Sequence, residues 1–303
     1  MLNTVKEELL DYASFIDFVK NMISKKMGKG YNVEINKVAN NNSPETDILT
    51  VLKEGRNFAP NIYLNAYYES YLAGTSMTDI LERICMIYKY CAIPAIRDGS
   101  DYSFDTLKSH IFFRLINFKR NINLLKQIPY IKIWDLAVTF HCLVRDKDGR
   151  ISTIRITNEH IKQWGVDVDE LYKLAFTNTR RLFPPFLKSM KEVLKEYSCS
   201  DSKDNEDNES YPMFILTVEK GIYGAFYLLY KNVIRELARL LNSNLYILPS
   251  SIHELIIIPM DDSLDKKFLK RLIMELNESI MTEDEILSDN VYIYSLENDS
   301  ITI

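Results

Sequence analysis

The chain has 303 residues and a formal net charge of −5, long enough for one large core or two ordinary ones. It is too acidic for a dedicated nucleic-acid binder, which needs a strongly basic face. Hydrophobic residues make up 47% and charged residues 26%, a balance that excludes wholesale disorder.

The four cysteines, Cys85, Cys91, Cys142 and Cys199, form no CxxC pair. Free thiols in a reducing compartment are therefore expected, rather than a disulfide framework or a zinc cage. The N-terminus MLNTVKEELLDYASF is acidic where a signal peptide is basic and then apolar. No run approaches about 18 uninterrupted apolar residues, so a cytoplasmic protein with no membrane contact is expected.

Residues 4–27 carry Leu9, Leu10, Phe15, Phe18, Val19, Met22 and Ile23 at helical spacing, with Thr4 as N-cap and Glu7 three residues on. Gly28 and Gly30 stop this helix. Two strands are predicted over residues 31–38 and 48–54, joined by the loop NNNSPET. Pro60 opens a helix that ends on Gly74, and Ser76 with Asp79 caps the next over residues 77–91. Tyr63, Tyr67 and Tyr71 fall at i, i+4, i+8, a stripe that reads as a core edge in preference to a ligand-stacking surface.

Residues 112–118 read as a strand, residues 119–127 as a short basic helical turn, and IPYIKIWD follows. Asp148-Gly149 between residues 136–146 and 150–157 is a hairpin signal. Thr157 caps a helix ending at Gly165, and Asp167 caps the next, over residues 169–183. Pro184-Pro185 interrupts the pattern, and a helix is predicted to resume over residues 186–197. Residues 198–210 are acidic and apolar-poor, so they read as a mobile loop.

The C-terminal third reads as a strand (213–219), one helix (223–241), a strand pair (244–260), a helix (264–281) and a closing strand (291–303). Helices are expected over one face of the strand pair. Asp262 or Ser263 is the expected cap of the last helix, with Leu264, Phe268, Leu272, Leu276 and Ile280 as its apolar stripe. The predicted fold is α+β: an N-terminal helix and strand part, then a larger antiparallel sheet covered by helices. A division between residues 95 and 105 gives domains 1–100 and 101–303.

The densest polar cluster is the corner Pro249-Ser250-Ser251-Ile252-His253-Glu254. Hydroxyl, imidazole and carboxylate are the ingredients of acyl transfer. On an extended chain Ser251 and His253 share one face and Glu254 takes the other. No G-x-S-x-G elbow supports the catalytic reading. The competing reading has the serines bonded to backbone at the corner and His253 capping a strand. The candidate site residues are Ser251, His253, Glu254 and, from elsewhere, Asp135.

A metal site needs His141, His160 or Asp135 to join His253 and Glu254, and no ligand spacing supports one. Lys108, Arg114, Lys119, Arg120, Lys126 and Lys132 interleave with Phe112, Phe113, Phe118 and Tyr130. In an acidic chain this reads as amphipathic strands in preference to a nucleic-acid platform. Nine glycines and no Gly-rich loop leave no nucleotide fingerprint, and no cofactor is expected.

Several blocks resemble an uncharacterised bacterial family, domain-of-unknown-function family 5688. They are residues 60–74, RLINFKRNINLL, WDLAVTF, ITNEHIKQWGVDVDELYKLAFTNT, and residues 223–241 running into LYILPSSIHELIIIP. Residues 135–303 bear a fainter likeness to family 1444. The resemblance implies a shared fold and gives weight to the 249–254 corner, but it brings no chemistry. Where the family favours a Pro-His step ahead of the Asp-Leu-Ala block, this chain has Pro129-Tyr130. The reading that follows is a non-enzymatic binding or regulatory protein with a protein or small-molecule partner; the alternative is a hydrolase-type enzyme at the 250–254 corner.

Overall fold

Asp11 begins the first helix, its carboxylate accepting from the Ser14 N–H at 2.7 Å. Helix α1 (Tyr12–Met27) stops at Gly28, where φ is 76° and a side chain would be strained. The computed structural model describes residues 9–54, 61–91, 103–147, 150–197, 212–261 and 263–303. Thr4 and the acidic stretch 198–210 lie outside them. The chain divides into two units, Met1–Tyr102 and Ser103–Ile303.

In the first unit β1 (Tyr31–Asn40) and β2 (Ser43–Lys53) pair antiparallel, with Val33 opposite Val51 and Ile35 opposite Leu49. The expected loop over residues 40–46 shrinks to a two-residue turn containing Asn42 at φ 54°, a conformation asparagine tolerates. Strand β3 (Asn61–Tyr63) adds to β2 with Ile62 opposite Leu49. The helix predicted to follow Pro60 thus begins only at Leu64, because pairing buries Ile62 in the sheet.

Helices α2 (Leu64–Leu72) and α3 (Met77–Cys91) complete the unit, and the Ser76 hydroxyl accepts from Asp79 N–H as expected. Phe15, Val19 and Ile23 of α1 meet Leu49, Val51, Leu64, Ile80 and Ile84 in its core. Tyr67 and Tyr71 pack against that core. The Tyr71 hydroxyl accepts from Leu10 N–H, and the neighbouring Tyr68 hydroxyl donates to Leu10 C=O. These tyrosines are core-edge residues, whereas Tyr63 sits exposed on the strand.

The second unit opens with α4 (Phe104–Leu107), β4 (Ile111–Asn117), α5 (Ile122–Leu125), β5 (Tyr130–Ile133), β6 (Leu136–Lys147) and β7 (Arg150–Arg155). Strand β6 is central: β4 runs along one edge, and β5 and β7 follow one another along the other. The residues of the hairpin signal, Asp148 and Gly149, lie outside the described residues, but Lys147 pairs with Arg150 across them.

Helix α6 (Asn158–Trp164) is capped by Thr157, with His160 Nδ1 accepting from the Thr157 N–H in return. Helix α7 (Val168–Leu182) is capped by Asp167 and lays Tyr172 and Phe176 against Phe113 of β4.

The remaining strands are β8 (Pro185–Ser189), β9 (Phe214–Val218), β10 (Leu245–Leu248), β11 (Leu255–Pro259), β12 (Tyr292–Ser295) and β13 (Ser300–Thr302). They form a six-stranded antiparallel sheet in the order β13-β12-β10-β11-β9-β8. The antiparallel α+β architecture stands, but as two sheets in this unit.

Helix α8 (Met190–Tyr197) starts later than predicted, because residues after Pro184 pair with β9 as an edge strand. The helix predicted over 223–241 is a 3₁₀ turn, Gly224–Leu229, then α9 (Lys231–Leu240). The break at Tyr230 lets the Tyr227 and Tyr230 hydroxyls donate to the carbonyls of Phe183 and Phe176.

Helix α10 (Lys266–Ser279) is capped by Asp265, not Ser263, and Asp262 lies outside the described residues. It buries Leu269 and Ile273 while Phe268 and Ile280 are exposed, so its apolar stripe is rotated by one residue from the predicted one. The closing strand is a hairpin, turning at Asp299 with φ 46°.

Helical cover lies on both faces of the strand pair, not one. Leu245, Ile247, Leu255 and Ile257 join the main core with α9, while Tyr246, Leu248 and Ile258 pack beneath α10.

Candidate functional site

Strand β10 runs into a corner whose backbone is laced to residues 285–288. Ile252 N–H donates to Glu285 C=O, Leu287 N–H to Ser250 C=O, and Ser288 N–H to Pro249 C=O. Ser250 and Ser251 are consequently buried, and Ser251 forms an isolated antiparallel bridge with Ile286. The 3₁₀ turn approaches from the other side: Gly224 N–H donates to His253 C=O at 2.7 Å, and the Thr217 hydroxyl donates to the same oxygen at 2.8 Å.

His253 meets one half of a catalytic requirement. Its Nε2 lies 3.3 Å from Glu285 Oε1, a carboxylate from a different element, and the ring is 21% exposed. The other half fails. Nδ1 accepts from the Tyr223 N–H at 3.1 Å, which places the ring proton on Nε2, facing Glu285. Ser251 Oγ accepts from the backbone N–H of His253 at 2.9 Å. No ring nitrogen therefore remains to take a proton from Ser251, which the acyl-transfer arrangement requires.

Glu254 is half-buried beside His253 and Glu285. Burial pushes its carboxyl above the ordinary range; His253 opposes the shift and the Glu285 charge adds to it.

Asp135 is not brought to this cluster. Its carboxylate accepts from Ser288 Oγ at 2.6 Å, from Asn290 Nδ2 at 3.0 Å and from the Tyr292 hydroxyl. It anchors the same C-terminal segment that laces the corner. His160 serves as a helix cap and His141 lies in the four-stranded sheet, so neither reaches His253. Among the described residues, no three His, Cys, Asp or Glu side chains are grouped to hold a metal ion.

A second polar group sits on the β4–β6–β7 sheet, where the arginine expected on the solvated face of an amphipathic strand is enclosed instead. Arg114 lies opposite Thr139, and His141 opposite both Phe112 and Arg155. From β4 the Arg114 side chain reaches across β6 to β7, where Nη2 donates to Thr153 Oγ1 at 2.7 Å. The Tyr223 ring caps it, with the guanidinium carbon 3.4 Å from the ring centroid.

His141 is buried, 3.2 Å from Thr139 Oγ1. Burial, reinforced by the charges of Arg114 and Arg155, holds it well below the ordinary histidine range, so it is neutral. Burial likewise lowers Arg114, to about 10, with Tyr223 opposing and Arg155 adding to the shift. The usable signal was positional. Phe112 and Ile116 flank Arg114 at i−2 and i+2, so alternation puts the arginine on an otherwise apolar strand face.

Fold and site define an α+β protein with a polar array running from Glu285 through His253 and Tyr223 to Arg114. The chain belongs to the family described as "Family of unknown function (DUF5688)", whose model matches residues 12–296. The likeness to family 1444 finds no such support. Neither the curated proteins nor the solved structures contain a match.

Proposed function

We propose that this chain is a non-enzymatic binding or regulatory protein of the cytoplasm, recognising a protein or small-molecule partner and not nucleic acid. The observation that carries this reading is the double engagement of the corner. His253 Nδ1 accepts from Tyr223 N–H, and Ser251 Oγ accepts from the amide of His253 itself. The corner then joins the 3₁₀ turn to the C-terminal segment and performs no chemistry. Free thiols at Cys85 and Cys142 are consistent with a reducing compartment. No helix among the described residues is long and apolar enough to cross a membrane. The two units act as separate domains divided near residue 100.

The rival reading, a hydrolase built on Ser251, His253 and Glu254, draws on one observation: the Glu285 carboxylate against His253 Nε2. Hydrolysis of an activated ester by the wild-type chain and by Ser251→Ala separates the two. Equal rates, indistinguishable from buffer, are expected. A wild-type rate well above buffer that Ser251→Ala abolishes would establish the hydrolase.

A further inference from the structure

The four-stranded sheet ends differently on its two sides. Along the outer edge of β4, Phe113 N–H donates to Thr179 Oγ1 at 3.1 Å and Ile111 C=O accepts from Asn178 Nδ2 at 3.0 Å, so side chains of α7 occupy that edge. The outer edge of β5 has no such cover among the described residues. Ile133 lies opposite Leu136, and Ile131 opposite Val138, around the two-residue turn Trp134-Asp135. In a hairpin of that length the residues flanking the turn exchange both hydrogen bonds, and every second residue beyond them faces outward. Tyr130 and Lys132 therefore turn their N–H and C=O groups away from β6, and β5 pairs with no other strand.

The side chains along this edge are open to water. Tyr130 is 39% and Trp134 38% exposed, and Lys132 between them is exposed as well. Phe118 joins them, its ring 6.1 Å from that of Tyr130 and 4.5 Å from Lys132 Nζ. Trp134 holds φ at 50°, a conformation that glycine or asparagine adopts at lower cost. Its ring stands edge-on to Tyr292 at 5.3 Å. The charge here is of one sign: residues 117–134 contain no Asp or Glu, in a chain of net charge −5. Lys119, Lys126 and Lys132 are exposed and meet no carboxylate among the described residues, whereas Arg120 has Asp289 at 3.7 Å.

We propose that the free edge of β5 is a docking site for an extended acidic segment of a partner protein, which adds to the sheet as a further strand beside Tyr130 and Lys132. The inference rests on the binding reading above and names the class of partner. The segment's backbone takes the outward groups of β5, its carboxylates face the lysines, and its apolar side chains cover Tyr130 and Trp134. A helix fits less well, because its own backbone groups are already bonded to one another. A lysine on an edge strand also guards against chance pairing. The exposed aromatic rings beside it do the reverse, since they offer apolar area to whatever pairs there.

The test uses the full chain and, as the probe, a fluorescein-labelled peptide of alternating glutamate and valine, followed by fluorescence anisotropy. Expected is saturable binding at low ionic strength, weakened at least about tenfold by Lys132→Glu and by Trp134→Gly, which keeps the turn and loses the ring. Hydrogen exchange of the wild-type chain is read in parallel and stays informative if a variant fails to fold. The amides of Tyr130 and Lys132 should exchange fast and those of Ile131 and Ile133 slowly, and the peptide should slow the first pair.

No saturable binding, equal binding of a lysine–valine peptide, undiminished binding to Lys132→Glu, or slow exchange at Tyr130 and Lys132 before peptide is added would each overturn the proposal. So would tighter binding of single-stranded oligothymidylate than of the peptide. Those failures leave the wider binding reading intact. A Ser251-dependent esterase activity would instead remove the binding reading while leaving the peptide result to stand or fall by itself.

Discussion

The backbone N–H of Tyr223 donates to Nδ1 of His253 at 3.1 Å, across thirty residues of chain. Tyr223 adopts a left-handed conformation, φ 62°, to make this contact, a cost that a non-glycine residue bears only where its surroundings fix it. The same residue presents its ring to Arg114. One strained tyrosine therefore belongs both to the 249–254 corner and to the polar sheet face, so the corner's integrity sets the position of the Arg114 lid.

Gly224, next in the chain, is expected to tolerate no side chain. A Cβ there would lie 2.6 Å from Thr217 Cα and 2.7 Å from His253 C=O, and both contacts are backbone atoms that cannot swing aside. Gly224→Ala should destabilise the chain by roughly 3 kcal/mol, at the upper end for overpacking, and shift the urea midpoint accordingly. A midpoint within about 0.5 kcal/mol of wild type would show that the 3₁₀ turn does not sit against the corner.

How much of this was readable beforehand depends on whether local pattern or distant contact decides each element. Thr157 and Asp167 were legible because a cap is settled within three residues of the helix it starts. The pairing of β6 with β7 was legible from two β-branched runs around Asp-Gly. The break before Tyr230 was not, since the helical pattern is continuous there; distant acceptors at Phe176 and Phe183 decide it. The strand at Phe186 needed the partner β9 to exist.

In the candidate site, Ser251, His253 and Glu254 were legible as a cluster, and their hydrogen bonds were not. The enclosure of Arg114 comes from Tyr223, more than a hundred residues away, and β4 alone shows only an arginine between apolar neighbours on its face.

Asp135 acts as a brace, so its removal should cost stability. Asp135→Ala leaves the Ser288 hydroxyl, the Asn290 amide and the Tyr292 hydroxyl without their acceptor. Hydrogen bonds to a charged group contribute about 1.5–3 kcal/mol each, and water can replace some of them, so a loss of roughly 3 kcal/mol is expected. Hydrogen exchange should locate the loosening in residues 285–292. Wild-type protection there in Asp135→Ala would refute the brace.

Glu254 gives the stability a pH dependence of definite sign. Its folded carboxyl is raised above the ordinary 4.5, chiefly by burial. Below 4.5 the folded and unfolded chains both hold the proton and the group costs nothing. As pH climbs from there toward the raised folded value, the unfolded chain releases its proton first, so stability falls across that window and stays lower above it. Glu254→Gln should therefore melt above wild type at pH 7, with the two curves converging near pH 4. Convergence at neutral pH and divergence in acid would reverse the sign and sink the assignment.

The most direct measurement is the urea denaturation of His253→Ala beside His253→Gln, with activated-ester hydrolysis assayed on both. His253 as a structural joint predicts a loss of roughly 1–3 kcal/mol in the alanine variant, because the Tyr223 N–H loses its acceptor. Glutamine offers a carbonyl to that donor and should regain part of the loss, with no hydrolytic activity in any of the three proteins. An alanine variant as stable as wild type that loses a measurable esterase activity, with glutamine failing to restore it, would contradict the joint and make His253 a catalytic base.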